Sequence, residues 1–503
     1  LADDSGLEVD ALGGGPGVMS ARYGGPDLTD PERCTAILEA LALTPDDRRT
    51  ARFRCVLALA KAGRTLAVFE ALIHGRNKYG DRATGDYVVS GTEGPDDVLS
   101  VLLLARWADI TDRNVGEVPL DIAPVVETAA ALEGAGEILR GLLTEDTYRR
   151  HLAARGNRQT VLVGYSESNK ECGIAASRHL VFCAQAELLK AAAEAGIELA
   201  LFHGRGGTVS RGGGPLDRLV ASTPPCATHG RLRVAEQGEG ISNSYGLRRI
   251  ALRTFEKAVF AVMQDRTGSQ NVIAPAEQHL PLMRRVAEAS RARYRALVYD
   301  DPEFLRYFRD VTPIDVIERM QIGGRLAHRE GSGIEALRAV PWVYAWTQSR
   351  HSLPGWFGVG TGLDTAAREL GADRLAKAWS GWPFFGNLLD DVEMELVRAD
   401  LGMAAHYDAL ATSPAFGIIE AIQREHALAK RWITWIKGEV DLLDSRPQMQ
   451  RSVLLRAPYL DPMHLMQIDL LRRWRAGARA DREIFDALLA SVTGIALGLQ
   501  ATG

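Results

Sequence analysis

The sequence predicts a helix-rich α/β fold: a partial (β/α) barrel of the TIM type, a large C-terminal α-helical region, and a small truncated α/β segment at the N-terminus. Three observations predict it. Apolar strand-like runs recur roughly every 35–40 residues between Tyr87 and Gln237 with helical segments between them, the rhythm of repeated β-then-α units. Helical periodicity dominates from about residue 245 onward. Residues 1–75 have a different texture, set off by the polar stretch HGRNKYGDRATGD at 74–86.

The elements follow in order. LADDSGLEVDAL reads as a strand, GGGPG as a turn, PERCTAILEALAL as a helix, and ARFRCVLALA and TLAVFEALI as two further strands. The chain starts at Leu1 inside a strand-like pattern, which suggests a fragment or a processed chain. YVVSGT (87–92), VPLDIAPVVE (118–127), QTVLVGYS (159–166), IELALFHG (197–204) and RLRVAEQ (231–237) supply the barrel strands. WPFFGNLLDDVEMELVRADLGMAAHYDAL (382–410) exemplifies the helical region, and RRWRAGARADRE (472–483) reads as a solvated helix face. The tryptophans of PWVYAW and GWPFF are expected in the core. The expected domains are therefore 1–76, 77–245 and 246–503.

Bulk composition narrows the function. A chain of 503 residues exceeds one ordinary core, and 46% hydrophobic with 24% charged residues is a soluble globular composition. A net charge of −5 gives no reason to expect a nucleic-acid partner, so any anion site is local. No signal peptide and no bilayer-length apolar run is evident, and a cytoplasmic protein without membrane partners is expected. The five cysteines, Cys34, Cys55, Cys172, Cys183 and Cys226, have no metal-ligand spacing and are expected as reduced thiols.

The barrel strands share one feature: their C-terminal ends are polar. Thr92 and Glu93, Glu127, Ser166 and Glu167, His203 and Arg205, and Glu236 and Gln237 all stand there, at the end of a parallel barrel where active sites form. Glu127 and Glu167 are candidate ligands for one divalent cation, because two carboxylates leave positions open for water and substrate. Next comes LFHGRGGTVSRGGGP (201–215), which sets His203, Arg205 and Arg211 among glycines, including Gly206 and Gly207. Glycine lets backbone N–H groups approach an anion, and arginine forks onto phosphate or carboxylate. The loop is not a P-loop, for it lacks GxxxxGK[ST], and it lacks the context of a dinucleotide fingerprint. GYSES is not a nucleophile elbow. A phosphorylated or carboxylated small molecule held between a metal and arginines is the chemistry suggested.

These residues belong to a larger pattern. YVVSGTEGPDDVL, APVVET, GYSESNKECG, LFHGRGGTVSRGGGP, LRVAEQGEGIS, LRAVPWVYAWTQSRHSLPGWFGVG, VEMELVRADLGMAAHY, LRAPYLDPMHLMQIDLLRR and GIALGLQATG occur in order. Over about residues 78–503 the chain resembles the C-terminal half of the phosphoenolpyruvate carboxylase family. The resemblance implies a lyase that joins bicarbonate to phosphoenolpyruvate with Mg²⁺ or Mn²⁺, giving oxaloacetate and phosphate. It implies a homo-oligomer, tetrameric in the family, that serves carbon dioxide fixation and the tricarboxylic acid cycle. By motif, Glu127 and Glu167 take metal-ligand positions, Arg205 and Arg350 phosphate-binding positions, Arg211 the catalytic position of the glycine loop, and Lys170 a position beside the site. Arg398 and Arg456, with Arg211, take positions of an inhibitory aspartate or malate site. His203 reads equally as a substrate contact or as a histidine satisfied by its neighbours.

The pattern also departs from the family. Glu167 stands where the family has Asp, Ser210 where it has Gly, Arg398 where it has Lys, Gln500 where it has Arg, and Ala501 where it has Asn. A histidine that the family places in a TAHPTE-type motif of its N-terminal half has no counterpart here. The resemblance thus implies a lyase impaired by the absent half. LADDSGLEVDALGGGPGVMSARYGG, ARFRCVLALA and VFEALIHG resemble instead the middle of the inosine/xanthosine triphosphate pyrophosphatase family, with Asp3 and Asp4 as metal and base acids and Arg22 in the adjoining loop. A gene-fusion junction is then expected near Arg76–Asn77. The alternatives to the lyase are a purine nucleoside triphosphate pyrophosphatase and a non-catalytic scaffold.

Overall fold

A computed structural model of the chain describes residues 2–12, 16–17, 30–42, 44–45, 51–61, 64–68, 85–107, 118–267, 273–320, 327–328 and 333–501. Its strands are β1 (Ala2–Val9), β2 (Pro16–Gly17), β3 (Ala51–Lys61), β4 (Arg64–Val68), β5 (Tyr87–Val89), β6 (Ile122–Val126), β7 (Arg158–Gly164), β8 (Glu198–Gly204) and β9 (Arg233–Ala235). They form a four-stranded sheet, β2-β1-β3-β4, and a five-stranded sheet, β5-β6-β7-β8-β9. The five-stranded sheet is parallel and curls as part of a barrel does.

All five expected barrel strands are present, each shorter than the apolar run that announced it. His203 of the β8 run stays in the ladder opposite Val234, whereas the polar residues that end the β5 and β6 runs, Thr92 and Glu127, leave it. Thr92 shows why: its hydroxyl donates to Val89 O at 2.9 Å and accepts from Val125 N–H at 3.3 Å, closing the turn after β5.

The chain divides into two compact units. One comprises Leu1–Val125, Ile138–Thr160 and Ala195–Glu198. In it β1 pairs antiparallel with β3, Asp3 opposite Leu57 and Asp4 opposite Val56, and β3 pairs antiparallel with β4. The helices α1 (Asp30–Ala40) and α2 (Pro95–Trp107) belong to this unit. The side chains of Asp3 and Asp4, the whole of Arg22, and the expected junction at Arg76–Asn77 lie outside the described residues.

The other unit comprises Val126–Glu137, Val161–Glu194 and Leu199–Gly503. Its principal helices are α3 (Ser166–Cys172), α4 (Ile174–Glu194), α5 (Leu216–Ala221), α6 (Gly238–Tyr245), α7 (Arg248–Arg266), α8 (Ile273–Val298), α9 (Ala339–Gln348), α10 (Val359–Leu370), α11 (Pro383–Arg398), α12 (Leu401–Asp408), α13 (Phe416–Lys437), α14 (Pro447–Ala476) and α15 (Arg482–Leu499). Trp342 and Trp346 of α9 are wholly buried and meet edge to face at 5.7 Å, flanked by Phe304 and Phe308. Trp382 is buried as well, so the core assignment of these tryptophans holds.

The helical stretch 382–410 is two helices: α11 ends at Arg398, and Asp400 caps a new helix by accepting the Met403 N–H at 3.0 Å. The run 472–483 is exposed except at Trp474 and Arg475. The chain turns between α14 and α15 there, and Arg475 points inward, its Nε on Asp315 Oδ2 at 3.0 Å and its Nη2 on Thr312 O at 2.7 Å.

Candidate active site

Every lyase-type site residue named from sequence lies in the second unit. The local chain places Glu127 and Glu167 on neighbouring segments. Glu127 directly follows β6, and Thr128 caps the next helix by accepting the Ala131 N–H at 3.1 Å. β7 ends at Gly164, where an added Cβ would stand 2.5 Å from Glu127 Cβ and 3.5 Å from its Oε2. Only glycine at the end of β7 leaves Glu127 that room. Glu167 occupies the first turn of α3, and the Ser168 N–H donates to Glu127 O at 3.0 Å. Glu167 is 8% exposed, and its Oε2 lies 4.0 Å from Lys170 Nζ. Lys170 is committed elsewhere: Nζ donates to Leu337 O at 2.5 Å and to Glu335 O at 3.1 Å.

The glycine-rich loop closes on itself. Gly206 N–H donates to Arg211 O at 2.7 Å, and Gly213 N–H to Thr208 O at 2.7 Å. A Cβ on Gly206 would fall 2.6 Å from Arg211 Cβ, and one on Gly213 would fall 2.6 Å from Gly207 O. Gly212 has φ +84° and lies against the Tyr165 ring. Arg211 reaches across from this loop to α3: Nε donates to Ser166 Oγ at 3.2 Å and Nη1 to Gln237 Oε1 at 3.2 Å. Gln237 also accepts the Gly207 N–H at 3.3 Å, so one amide oxygen serves both ends of the loop.

Arg205 is 7% exposed and clasps the loop from inside, its Nε on Gly212 O at 2.5 Å and its Nη2 on Gly214 O. Its Nη1 is buried with no hydrogen-bond partner. Such an orphan marks a place for an anion or a water. The loop is also tied from behind: Arg178 Nη2 donates to Val209 O at 3.0 Å and to Asp391 Oδ2 at 3.1 Å. Burial pushes the Asp391 carboxyl up to about 6, against the pull of Arg178, Arg218 and Arg205. His203 is 2% exposed, with Nδ1 2.9 Å from the Tyr165 hydroxyl. Burial, then the Arg205 charge, lowers it to about 3, so it is neutral at physiological pH.

Arg350 has another set of partners. It follows α9 with φ +62°, uncommon for a side-chain-bearing residue. Its carbonyl accepts the Asp400 N–H at 2.9 Å, and its Nη2 lies 3.5 Å from Asp400 Oδ2. Nε and Nη1 are buried without partners. The short turn Leu353–Gly355 just beyond it packs against the turn Val209–Arg211, which carries Arg350's segment to the glycine loop. Arg398 and Arg456 lie close enough that the charge of Arg398 helps burial lower Arg456. Arg398 pairs with Glu395 at 2.8 Å, and Arg456 Nη1 donates to Gly498 O at 3.2 Å, near the buried Ala501.

A divalent cation fits the donor set. Carboxylate oxygens suit Mg²⁺ or Mn²⁺, which take one or two such ligands together with water and substrate oxygens. Among the described residues no cluster of three or more His, Cys, Asp or Glu side chains stands ready for a metal. Sequence reasoning passed over Tyr165, Arg178, Asp391 and Asp400. Tyr165 and Asp400 stand inside quoted motifs and were there to be weighed. The Arg178–Asp391 tie joins residues far apart in sequence and left no local sign.

Among the described residues no helix is long and apolar enough to cross a membrane. The described cysteines Cys172, Cys183 and Cys226 are free thiols.

Comparison with known proteins agrees with this geometry. The chain is 44% identical over 439 residues to the phosphoenolpyruvate carboxylase of Xanthomonas campestris pv. campestris strain 8004, covering 87% of this chain and 48% of that protein. It is 40% identical over 454 residues to the one from Roseiflexus castenholzii strain DSM 13941 / HLO8, and 37% identical over 460 residues to the one from Rhodothermus marinus, with the same two coverages. The chain spans about half the length of the curated relatives it matches. These likenesses lend no support to the pyrophosphatase resemblance of residues 1–75. The family profile reaches back across the expected junction near Arg76–Asn77. That profile, described as phosphoenolpyruvate carboxylase, matches residues 25–503, and with the relatives above it makes this chain a member of the phosphoenolpyruvate carboxylase family.

Proposed function

We propose that the chain forms the glycine-loop and metal side of a phosphoenolpyruvate carboxylase site. The observation that carries this is the reach of Arg211 from the glycine loop to Ser166, next to Glu167, which sets a cationic side chain beside a candidate metal-ligating carboxylate. In the reaction, bicarbonate oxygen attacks phosphorus and the bond from phosphorus to the enol oxygen breaks. Carboxyphosphate and the enolate of pyruvate result. Carboxyphosphate splits to carbon dioxide and phosphate, and the enolate carbon attacks carbon dioxide to give oxaloacetate.

The chain's residues supply binding and charge. Arg205, through its unpartnered Nη1, and Arg350, through Nε and Nη1, are phosphate donors. Arg211 sits where charge grows on the transferring phosphoryl group. Glu127 and Glu167 would hold Mg²⁺ or Mn²⁺, which would supply a Lewis acid for the enolate oxygen. Lys170 fixes α3 by its two carbonyl bonds and keeps a positive charge beside Glu167. Gly206 and Gly207 let the loop approach the substrate, and His203 holds Tyr165 under Gly212. Arg398 and Arg456 frame a carboxylate effector site near the C-terminus. Domains 1–76, 77–245 and 246–503, a homo-oligomer and a cytoplasmic location complete the reading. The pyrophosphatase alternative is not favoured, since the matches reported above are all to phosphoenolpyruvate carboxylase.

Oxaloacetate formation from phosphoenolpyruvate, bicarbonate and Mg²⁺, coupled to malate dehydrogenase, tests it. The expected result is bicarbonate-dependent oxaloacetate that Arg211→Ala abolishes. A folded sample that yields none, or phosphate release indifferent to bicarbonate, overturns the reading.

A further inference from the structure

Close packing from behind does not fix the glycine loop. A cavity of about 50 Å³ lies between it and helices α4, α5 and α11, walled by Gly212, Gly213 and Gly214 on the loop side and by Phe182, Leu219 and Leu388 on the other. Residues 201–215 include six glycines, whose backbone has many alternatives open to it. A loop of that kind, backed by empty space, needs polar ties to keep one conformation. The ties that reach it from the helices therefore decide where Arg211 stands.

Arg178 of α4 is such a tie, and it meets the loop on both sides of Arg211. Its Nη2 donates to Val209 O at 3.0 Å. The same carbonyl accepts the Gly212 N–H at 3.0 Å, the bond that closes the turn Val209–Arg211. Directly after Arg211, Gly212 lies against the Tyr165 ring, and the Arg178 guanidinium sits over that ring, 5.3 Å from its centre. Arg178 thus grips the turn directly at its first residue and through Tyr165 just past its last.

Asp391 of α11 aims Arg178. Its Oδ2 accepts from the same Nη2 at 3.1 Å. One nitrogen shared between a carboxylate and a loop carbonyl has a narrow range of positions, and swinging it off one acceptor loses the other. The two side chains are 15% and 19% exposed, so water competes weakly for either. α11 is itself fixed to α5, where Asn387 Nδ2 donates to Arg218 O at 3.2 Å and to Ser222 Oγ at 2.9 Å. The structure assigns Arg178 as a positioning residue for Arg211, with Asp391 as the group that keeps it on Val209 O. Arg178 acts through the turn, and its effect on turnover rests on the function proposed above.

Hydrogen exchange of the full chain, read by mass spectrometry over residues 201–215, tests the assignment. The amides of Gly206, Arg211, Gly212 and Gly213 all donate within this loop, so their protection reports its conformation. Arg178→Met keeps the aliphatic stem and removes both bonds. Exchange of the loop peptide should quicken about tenfold, while peptides of β7 and α15 keep their rates. The single variant also strands Asp391. Arg178→Met with Asp391→Leu removes that acid, so its melting temperature should return to the parent value while the loop stays fast. Arg178→Lys, which restores a donor, should recover part of the protection. Unchanged loop exchange in Arg178→Met overturns the assignment. So does a double variant that regains loop protection together with melting temperature, the behaviour of a tie that only supports the fold. In the carboxylase assay the double variant should lose about tenfold in kcat, and a parent-like kcat with a fast loop also overturns the assignment. The two claims separate: a fast loop in the variants of a chain that forms no oxaloacetate keeps the positioning and sinks the lyase reading. A slow loop in the variants of an active chain sinks the positioning alone.

Discussion

His351 Nε2 lies 3.1 Å from Asp408 Oδ1, and the ring's other nitrogen lies 2.9 Å from Ser349 Oγ. The Tyr307 hydroxyl donates to the same aspartate oxygen at 2.6 Å. Serine, histidine and aspartate stand in the order of a hydrolytic triad, yet Ser349 is wholly buried and His351 is 1% exposed. With no access for substrate, the group serves Arg350, the residue between Ser349 and His351 that is held at positive φ. A serine-directed fluorophosphonate should leave Ser349 unlabelled. His351→Phe should cost about 1–3 kcal/mol of unfolding free energy, because Asp408 and Ser349 lose a buried partner. Labelling of Ser349, or an unchanged urea midpoint, would count against this role.

Gly206 tests the loop. A Cβ there would meet Arg211 Cβ at 2.6 Å and Cζ at 2.7 Å, so Gly206→Ala displaces the arginine. Under the proposed function kcat should fall about a hundredfold, with little change in melting temperature. Gly238→Ala, where an added Cβ meets nothing within 4 Å, should leave kcat alone. Equal kinetics for the two variants would show that Arg211 need not be held there.

Buried histidines set the acid limb of stability. His203 and His464 are lowered from 6.5 to about 3, and His151 and His179 to about 4, each chiefly by burial. The unfolded chain therefore binds protons at these sites before the folded chain does. Stability present above pH 6.5 is lost as pH falls toward 4, by about 1.4 kcal/mol per pH unit for each fully titrating histidine. Asp391, raised to about 6, works the other way over pH 6 to 4, since its folded form takes the proton first. Four histidines against one aspartate predict a net loss. Urea melts at pH 7, 6 and 5 should show it, and His203→Gln should flatten the slope.

The pair Lys437 and Glu393 is a further point of sensitivity. Their side chains are 2% and 0% exposed, and Lys437 Nζ also reaches Asp390 Oδ1 at 2.9 Å. Lys437→Met strands a buried carboxylate and should cost about 3–5 kcal/mol, much of it recovered by adding Glu393→Leu. Equal losses from the single and double variants in a denaturant titration would show the pair is not coupled.

What the sequence disclosed followed the reach of its signals. Period and polarity located all five barrel strands, because an apolar run ended by a charged residue is a local pattern. The family motifs named Arg211, Glu127 and Glu167, and the chain indeed brings the loop arginine to α3. Partners distant in sequence stayed hidden: Arg475 turns inward to Asp315, 160 residues away, from a run that is otherwise mostly exposed. Arg205 was read as an open phosphate donor, but two of its three nitrogens rest on carbonyls of its own loop. Carbonyl acceptors belong to every residue type and leave no mark in a sequence.

That clasp has a kinetic consequence. Under the proposed function an incoming phosphate would compete for Arg205 with Gly212 and Gly214, so full engagement would require the loop to unfasten first. Association observed by stopped flow should then level off with rising ligand concentration, at the rate at which the loop lets go.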